Sequence, residues 1–263
     1  MAKRLTFCES KMSFLIVGRD NPIADTKLNS SLADPEPGRV RAMFGGIARR
    51  YDLMNTIMTA GMHHRWRRLG VRMADLHEGG TVLDVCCGTG DFAFALFDEV
   101  GPLGSVTGID FSRRMLEVAH EKAKKHGRPV DFRWGNATRI EFGDNHFDAA
   151  TVGFGVRNIE DVGGVFSEMA RVVKPGGRVV CLEITQPSRE PFKRFYGVWF
   201  DRLVPAVGRL VGRHNSAYTY LPSSVRRFPP APRLKAIMEE AGLKNVEYRL
   251  LAGSIIALHW GSV

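Results

Sequence analysis

One acidic, glycine-rich segment carries the residues best suited to bind a small ligand. It reads Asp84-Val85-Cys86-Cys87-Gly88-Thr89-Gly90-Asp91 and lies where an apolar run gives way to a helical pattern. Small residues at such a turn let a ligand approach the backbone, and N–H groups at a helix start can bind a carboxylate. Asp91 directly follows the second glycine and the GxGxxG spacing is missing, which disfavours a pyrophosphate. Asp84 and Asp91 instead complement a ligand with an amino group and a sulfonium.

Further small and polar residues follow the next three apolar runs. Asp110 ends the second run, where a carboxylate can accept hydrogen bonds from both hydroxyls of a ribose; a helix cap is the alternative role. Asn136-Ala137 follows the third run and Gly153-Phe154-Gly155 the fourth. Because open α/β sheets bind ligands at the carboxyl ends of their strands, these residues can complete an adenine pocket, with ordinary loop residues as the alternative.

The elements that position these residues alternate between strands and helices. Helical spacing of apolar residues predicts two or three helices within 40–73, and single helices at 91–100, 112–126 with Ser112 as N-cap, 162–173 and 233–241. Apolar, β-branched runs predict strands at 81–85, 105–110, 130–134, 147–152, 177–184, 246–251 and 254–258. This order predicts an α/β fold with a Rossmann-like, mostly parallel seven-stranded sheet and helices on both faces.

The predicted organisation is a leader followed by one domain. Residues 1–40 mix charges with Pro, Asn and Ser and are predicted to be a mobile leader. The domain, 41–263, comprises N-terminal helices (41–78), a ligand-binding core (79–187), an insertion (188–230) and a closing helix with strands (231–263). The insertion is rich in aromatic residues and Pro and is expected to serve the substrate as a helical lid.

Composition narrows the classes of partner. The chain has 263 residues and a formal net charge of +9, which suits acidic ligands, nucleic acid or an anionic membrane surface. Zinc-finger spacing and RNP-like aromatic patterns are missing, so nucleic acid is the weaker partner. No apolar run approaches the roughly 18 residues of a membrane span. The four cysteines form neither a CxxC pair nor a disulfide framework, which predicts buried thiols in a reducing cytosol and no metal site.

Several stretches resemble a known family of enzymes. DVCCGTGD, the Asp at the second strand end and the Pro-Gly-Gly turn before the fifth strand resemble the class I methyltransferases. YDLMNTIMTAGMHHRW (51–66) and RVVKPGGRVVCLEIT (171–185) resemble the two signature segments of the menaquinone and ubiquinone C-methyltransferases. GFGVRN (153–158) and YLPSSVRRFP (220–229) also match that family. The resemblance implies the class I methyltransferase fold and S-adenosylmethionine as the cofactor.

The resemblance assigns cofactor-binding roles to individual positions. Thr89, Asp110, Asn136 and Ala137 match the family's cofactor-binding positions, and Asp84, Gly88 and Gly90 belong to the same glycine turn. Gly153 departs from the family, which often has Ser there, so a hydroxyl contact to the cofactor is in question.

Methylation of a ring carbon needs an electron-rich ring, which a reduced quinol supplies. Arg157 and Asn158 resemble the family's polar pair at the reacting site, and Arg157 is expected to stabilise the developing phenolate and orient a water. A surface salt bridge is the alternative role for Arg157. Tyr51 and His63 are weaker substrate-site candidates, because a His on a helix beside a Trp is more often a packing residue.

The insertion supplies two further substrate candidates, Tyr196 and Trp199. They lie on a helical pattern of aromatic residues interleaved with Lys and Arg. Core packing is one role for this pattern; a lid that holds a polyprenyl tail and rests on anionic lipid is the other.

The sequence therefore favours S-adenosylmethionine-dependent C-methylation of demethylmenaquinol to menaquinol. A benzoquinol of ubiquinone biosynthesis, another small molecule and a non-catalytic methyltransferase-like binding module stay open. A dehydrogenase lacks its glycine fingerprint, and a nucleic-acid methyltransferase lacks a catalytic Asn-Pro-Pro-Tyr or Pro-Cys pair. We expect a cytoplasmic protein that contacts the inner face of the membrane peripherally, with a homodimer left open.

Overall fold

The computed structural model describes residues 37–187 and 216–263. In these residues the helices are α1 Pro37–Thr59, α2 Met62–Met73, α3 Asp91–Val100, α4 Arg113–His126, α5 Val162–Val172, α6 Ser216–Arg227 and α7 Ala231–Glu240. The strands are β1 Thr81–Val85, β2 Ser105–Asp110, β3 Asp131–Trp134, β4 Phe147–Gly153, β5 Val173–Ile184, β6 Lys244–Leu251 and β7 Ile256–Ser262. Short 3-10 turns lie at Val156–Asn158 and Ala252–Ser254.

The seven strands form one sheet in the order β3-β2-β1-β4-β5-β7-β6. Strands β1 to β5 pair in parallel, and β7 inserts antiparallel between β5 and β6. The chain proceeds outward from β1 to β3 and then returns to place β4 on the other side of β1. The order of strands therefore reverses between β1 and β4, and loops that leave the sheet there open a crevice suited to ligands. The predicted mostly parallel seven-stranded sheet is confirmed.

The central strands are covered on both faces by helices. Val82 and Leu83 on β1 are fully buried and point into different clusters of apolar side chains. One cluster includes Phe166 of α5 and Met238 of α7, and the other includes residues of α2, α3 and α4 such as Leu96. Burial on both faces explains why these strands appear in the sequence as nearly continuous apolar runs.

Several predicted strand boundaries differ from the structure, and the starts of β5 and β7 differ for identifiable local reasons. β5 begins at Val173, because Val173 pairs with Phe147 before the Pro-Gly-Gly turn breaks the register and pairing resumes at Arg178. β7 begins at Ile256 instead of residue 254, because Ala252, Gly253 and Ser254 have positive φ angles and form a 3-10 turn.

The predictions for the leader, the insertion and the Ser112 cap agree with the structure only in part or lie outside the described residues. Residues 37–40, predicted as the end of the leader, form the first turn of α1. Residues 1–36 and 188–215, which carry the rest of the predicted leader and most of the predicted insertion, lie outside the described residues. Ser112 occupies the N-cap of α4, but its hydroxyl makes no capping hydrogen bond. Every described helix is too short or too polar to cross a bilayer.

Candidate active site

The turn between β1 and α3 relies on glycine for its backbone shape. Gly88 and Gly90 have φ angles of 55° and 87°, in the left-handed region that favours glycine. A Cβ on Gly90 would lie 2.6 Å from the Phe132 ring, whereas a Cβ on Gly88 would meet nothing within 4 Å. Gly90 is therefore closed in by protein, and Gly88 faces open space where a ligand can approach the backbone.

Asp110 is held against this turn by two backbone hydrogen bonds. One carboxylate oxygen accepts from the Gly88 N–H at 2.9 Å and the other from the Ser112 N–H at 2.8 Å. Burial raises the pKa of Asp110 to about 6, against the opposing effect of these hydrogen bonds. Each carboxylate oxygen keeps a further lone pair, which is what two ribose hydroxyls need.

Asp84 presents an unsatisfied carboxylate oxygen at the end of β1. Its Oδ1 accepts a hydrogen bond from the Thr151 hydroxyl at 2.8 Å, and the Ala93 backbone N–H of α3 lies close enough to stabilise the ionised carboxylate. Its Oδ2 is buried and has no partner at hydrogen-bond geometry among the described residues. Burial raises the pKa of Asp84 to about 7. Because a buried, unsatisfied polar atom is costly, this oxygen marks a position where a ligand cation or donor is stabilising.

The other predicted cofactor-binding residues, Asn136, Ala137 and Gly153, lie at or just after the carboxyl ends of β3 and β4. Asn136 is exposed, and its side-chain oxygen accepts hydrogen bonds from the Thr138 backbone and hydroxyl, each at 3.0 Å. Ala137 next to it is buried. A Cβ on Gly153 would lie 2.8 Å from the Phe92 ring, so glycine at this position leaves room for Phe92. Gly153 can therefore contact a ligand only through its backbone.

A charged network that sequence reasoning missed joins α1 to the glycine turn. The Thr89 hydroxyl donates to Asp52 Oδ1 of α1 at 2.5 Å, and Lys122 Nζ of α4 bridges Asp52 Oδ2 at 2.7 Å and Asp91 Oδ1 at 2.5 Å. Arg67 of α2 lies 3.2 Å from Asp91 Oδ2. Although burial opposes it, the charges of Arg67 and Lys122 lower the pKa of Asp91 below its usual value.

His63 belongs to this network and not to an open site. The residue is 1% exposed, its Nε2 lies 3.2 Å from the Thr56 hydroxyl, and its Nδ1 contacts the Arg67 guanidinium. Burial, followed by the charge of Arg67, lowers the pKa of His63 to about 4. The imidazole is therefore neutral at physiological pH, and the geometry matches the packing role more closely than substrate contact.

The same region holds a trio of potential metal ligands, His63, His64 and Asp91. Arg67 and Lys122 already contact the Asp91 carboxylate. A divalent cation there would meet two fixed positive charges, so this trio does not fit a metal ion.

Arg157 lies just beyond β4 in a buried ion pair with Glu183 of β5. Its Nη1 lies 2.7 Å from Glu183 Oε1 and donates to the Phe154 carbonyl at 2.5 Å, while its backbone N–H donates to Glu183 Oε2 at 3.3 Å. The side chains are 7% and 1% exposed, which rules out the surface salt bridge. Burial opposes the charge of Arg157, but Glu183 holds the pKa of Arg157 above its usual value.

Two tyrosines lie close enough to interact electrostatically with Arg157. They are Tyr51 of α1 and Tyr220 of α6. Burial raises the pKa of Tyr51, with the nearby charge of Arg157 opposing the rise. The end of α6 is fixed by Gln186, whose amide donates to the carbonyls of Val225 and Arg226 at 3.1 Å each.

Buried polar atoms without a hydrogen-bond partner lie at Arg157 and at residues near it at the strand ends. Within residues 37–187 and 216–263, Arg157 Nε, Asn158 Oδ1 and Thr185 Oγ1 are buried without hydrogen-bond partners. Asn158 donates its amide to the Gly155 carbonyl at 3.1 Å. These atoms, at the carboxyl ends of β4 and β5, can bind a polar group of a second ligand beside the glycine turn. Tyr196 and Trp199 lie outside the described residues.

The arrangement thus provides two adjacent sets of polar groups along one edge of the sheet. The ends of β1 and β2 provide the glycine turn and two carboxylates, and the ends of β4 and β5 provide the buried ion pair. Because β1 and β4 are paired neighbours, with Val85 opposite Val152, both sets lie at the point where the strand order reverses. Such a site can hold a donor and an acceptor side by side.

The chain matches the ubiE/COQ5 methyltransferase family over residues 32–263. It belongs to that family. Curated relatives include the demethylmenaquinone methyltransferases of Bacillus licheniformis, 43% identical over 85% of this chain and 96% of the relative, and Bacillus subtilis, 41% identical over 88% and 99%. A SAM-dependent methyltransferase from Thermotoga maritima shares the fold, with a TM-score of 0.56 and 20% identity over 84% of this chain and 98% of that one.

As a member of the ubiE/COQ5 family, the protein is an S-adenosylmethionine-dependent methyltransferase with the class I methyltransferase fold. The described residues fit this cofactor. The unsatisfied Asp84 oxygen suits a cationic group, the Asp110 carboxylate suits a ribose, and the open side of Gly88 admits a ligand to the backbone.

Proposed function

We propose that this methyltransferase acts on a ring carbon of a polyprenylated quinol and converts demethylmenaquinol to menaquinol. The observation that carries the proposal is the match, over nearly their full length, to relatives named demethylmenaquinone methyltransferase. The buried Arg157–Glu183 pair beside the cofactor-binding turn gives that chemistry a site.

Cofactor binding is assigned to the edge formed by β1, β2 and β3. Asp110 binds the ribose hydroxyls, and Asp84 complements the positive charge of the cofactor. The remaining cofactor contacts are assigned to the glycine turn and the strand ends, through Gly88, Thr89, Gly90, Asn136, Ala137 and Gly153. The absence of a side chain at Gly153 restricts its contribution to backbone groups.

The reacting ring is assigned to the edge formed by β4 and β5. When bound, S-adenosylmethionine would supply an electrophilic methyl group to a ring carbon and leave as S-adenosylhomocysteine, and the proton displaced from that carbon would pass to water. Arg157 stabilises negative charge on the ring oxygen, and Asn158 offers an amide to the same polar region. Since an arginine does not give up its proton, it orients a water or the quinol hydroxyl and does not act as the base itself. Glu183 fixes Arg157 through both its side chain and its backbone.

Four further residues are assigned to the substrate or to the support of its site. Tyr51 is placed beside Arg157 by α1 and can contact the ring. Tyr196 and Trp199 in the insertion are assigned to the polyprenyl tail on their aromatic, helical pattern. His63 is retained only as a support for Arg67, because it is buried between Thr56 and Arg67.

The test is methyl transfer to two chemically reduced quinols, demethylmenaquinol and the prenylated benzoquinol, each offered alone with S-adenosylmethionine. Mass spectrometry of the extracted quinones should show methylation of the naphthoquinol at the higher kcat/KM. Faster methylation of the benzoquinol would assign the protein to ubiquinone biosynthesis instead. Cofactor binding without transfer to either ring would contradict the proposal and favour another small molecule or a non-catalytic binding module.

A further inference from the structure

Three large apolar side chains are exposed where α1 turns into α2. Leu53 and Ile57 of α1 are 55% and 46% exposed, and Met62, the first residue of α2, is 47% exposed. Leu53 and Ile57 are four residues apart and lie on one face of the helix. The turn between the helices is tight, because Ala60 and Gly61 have positive φ angles and donate to the carbonyls of Ile57 and Thr56. The two helices therefore present three exposed apolar side chains on either side of a tight corner.

Three arginines extend this feature along α2. Arg65, Arg68 and Arg72 are exposed, and their spacing places them on one arc of the helix next to Met62. The opposite arc is buried through Trp66, Gly70 and Val71. Among the described residues none of the three arginines has an ion-pair partner, and α2 contains no acidic residue. We call Leu53, Ile57, Met62, Arg65, Arg68 and Arg72 the corner surface.

Charge decides which partner fits the corner surface. Residues 188–215 carry six Lys and Arg against two Asp and Glu, a net charge of +4, so this segment would bring like charge to the arginines. A second copy of the chain would bring the same arginines. A bilayer with anionic headgroups offers negative charge to the guanidinium groups and hydrocarbon to Leu53, Ile57 and Met62.

We propose that the corner surface is the part of this protein that docks on an anionic lipid bilayer. The inference deepens the proposed function, because a polyprenylated quinol resides in that bilayer. Helix α1 also connects the corner surface to the cofactor-binding turn. Its residue Leu53 is exposed, while the neighbouring Asp52 accepts the hydrogen bond from Thr89 of that turn. Lipid contact and the contact with the cofactor-binding turn thus lie on two sides of the same helix.

The test is sedimentation of the full-length protein with vesicles, measured without cofactor or quinol. We expect binding to equal parts of phosphatidylglycerol and phosphatidylcholine, weakened by salt, and little binding to phosphatidylcholine alone. Replacing Arg65, Arg68 and Arg72 together by Gln should weaken binding by roughly a hundredfold, about fivefold per charge. Leu53→Ser combined with Ile57→Ser should weaken it by about tenfold.

A matched control lies on β6 at the far edge of the sheet. Arg249 and Leu250 are exposed there, and Arg249→Gln with Leu250→Ser should leave vesicle binding unchanged. All of these variants alter exposed side chains, so their unfolding midpoints should match the wild type. Equal binding by the corner variants and the wild type would overturn the proposal. So would an oligomeric state that changes in the corner variants while vesicle binding does not, since that would make the surface a contact between copies.

Turnover of a quinol with a short, water-soluble tail separates this inference from the proposed function. The corner variants should methylate the short-tailed quinol at the wild-type rate and lose activity only on long-tailed quinol in vesicles. Failure of the wild type to methylate any quinol would refute the proposed function and leave the vesicle measurement standing.

Discussion

At the scale of single residues, the site depends on a buried ion pair that is expensive to break. Arg157 and Glu183 are removed from water, and each compensates the charge of the other. Removing one partner leaves an uncompensated buried charge, which costs about 3–5 kcal/mol, whereas removing both charges is far less costly. Stability and catalysis can therefore be separated by comparing single and double variants.

The first prediction concerns this pair. Arg157→Met should lower kcat by at least about a hundredfold and the free energy of unfolding by about 3–5 kcal/mol, because Glu183 loses its partner. The double variant R157M/E183Q should recover most of the stability but none of the turnover. Cofactor affinity, measured calorimetrically, should stay within about twofold of the wild type in the double variant.

Two results would contradict this assignment. Recovery of kcat together with stability in the double variant would make the pair purely structural. A parallel loss of turnover and cofactor affinity would place Arg157 at the cofactor and not at the reacting ring.

The second prediction concerns Asp84. Burial raises the pKa of Asp84 to about 7, so protonated carboxyl is present in the ligand-free protein at pH 7, and a cationic ligand nearby favours the ionised form. Cofactor binding at pH 7 should therefore release more protons from the wild type than from Asp84→Asn, as measured by calorimetry in buffers of different ionisation enthalpy. Equal proton release by both proteins would show that Asp84 does not face the cofactor's charge.

Sequence reasoning located some of these residues and missed others for a physical reason. Asp84 and Asp110 were predicted because each lies at the carboxyl end of a strand, and the end of a parallel strand is identifiable from the chain alone. Asp52 and Lys122 were missed because their contact joins α1 to α4, and no local pattern specifies a pair that far apart. Glu183 was included in a family signature, but its importance follows from the strand pairing that places it beside Arg157.

At the scale of elements, α1 and α2 are held over the glycine turn by charged side chains. Lys122 bridges Asp52 of α1 and Asp91 of α3, so one ammonium group connects three helices. Its pairs are partly exposed, and such pairs contribute little to overall stability. Their effect is therefore expected in the position of α1 more than in the free energy of unfolding.

The third prediction tests this connection. Lys122→Met should weaken cofactor binding by about tenfold, because α1 is no longer held against Thr89, while the free energy of unfolding falls by about 1 kcal/mol. Lys125→Met, at an exposed position on the same helix, should change neither quantity. An unchanged cofactor affinity in Lys122→Met would show that the network does not position the turn.

Strand prediction succeeded where burial was complete and failed where the backbone was irregular. β1 and β2 match their predicted bounds, because apolar, β-branched runs end at clear turns. The start of β5 and the start of β7 were misplaced, because pairing before the Pro-Gly-Gly turn and left-handed Ala252 and Ser254 depend on tertiary contacts. The same holds for residues 37–40, whose composition resembled a leader although they begin α1.

At the scale of the whole molecule, β7 completes the sheet and buries a histidine. His259 is fully buried, lies opposite Cys181 of β5, and its Nε2 lies 2.9 Å from the Ala231 carbonyl at the start of α7. Burial lowers the pKa of His259 to about 4. The folded protein therefore keeps this ring neutral down to a pH at which the unfolded chain has already bound a proton.

The fourth prediction concerns acid stability. The pKa of His259 is lower in the folded than in the unfolded protein, so His259 reduces the free energy of unfolding as the pH falls from 6.5 to 4. The reduction amounts to about 3 kcal/mol, and above pH 6.5 there is none. Asp84 and Asp110, whose pKa values are raised, act in the opposite direction over an overlapping range. Between pH 8 and pH 5, the free energy of unfolding measured by urea denaturation should therefore fall by about 2 kcal/mol less in His259→Phe than in the wild type. Parallel pH profiles for the two proteins would contradict the assignment.

The central claim is that this edge of the sheet methylates the ring of a reduced quinol. The most direct measurement offers S-adenosylmethionine with a deuterated methyl group to demethylmenaquinone in its reduced and in its oxidised form, and locates the label by mass spectrometry. We predict deuterated methyl on the ring carbon of the reduced substrate and none on the oxidised one, because only the quinol ring is electron-rich. Absence of label in the reduced ring, with cofactor binding demonstrated in the same sample, would contradict the account.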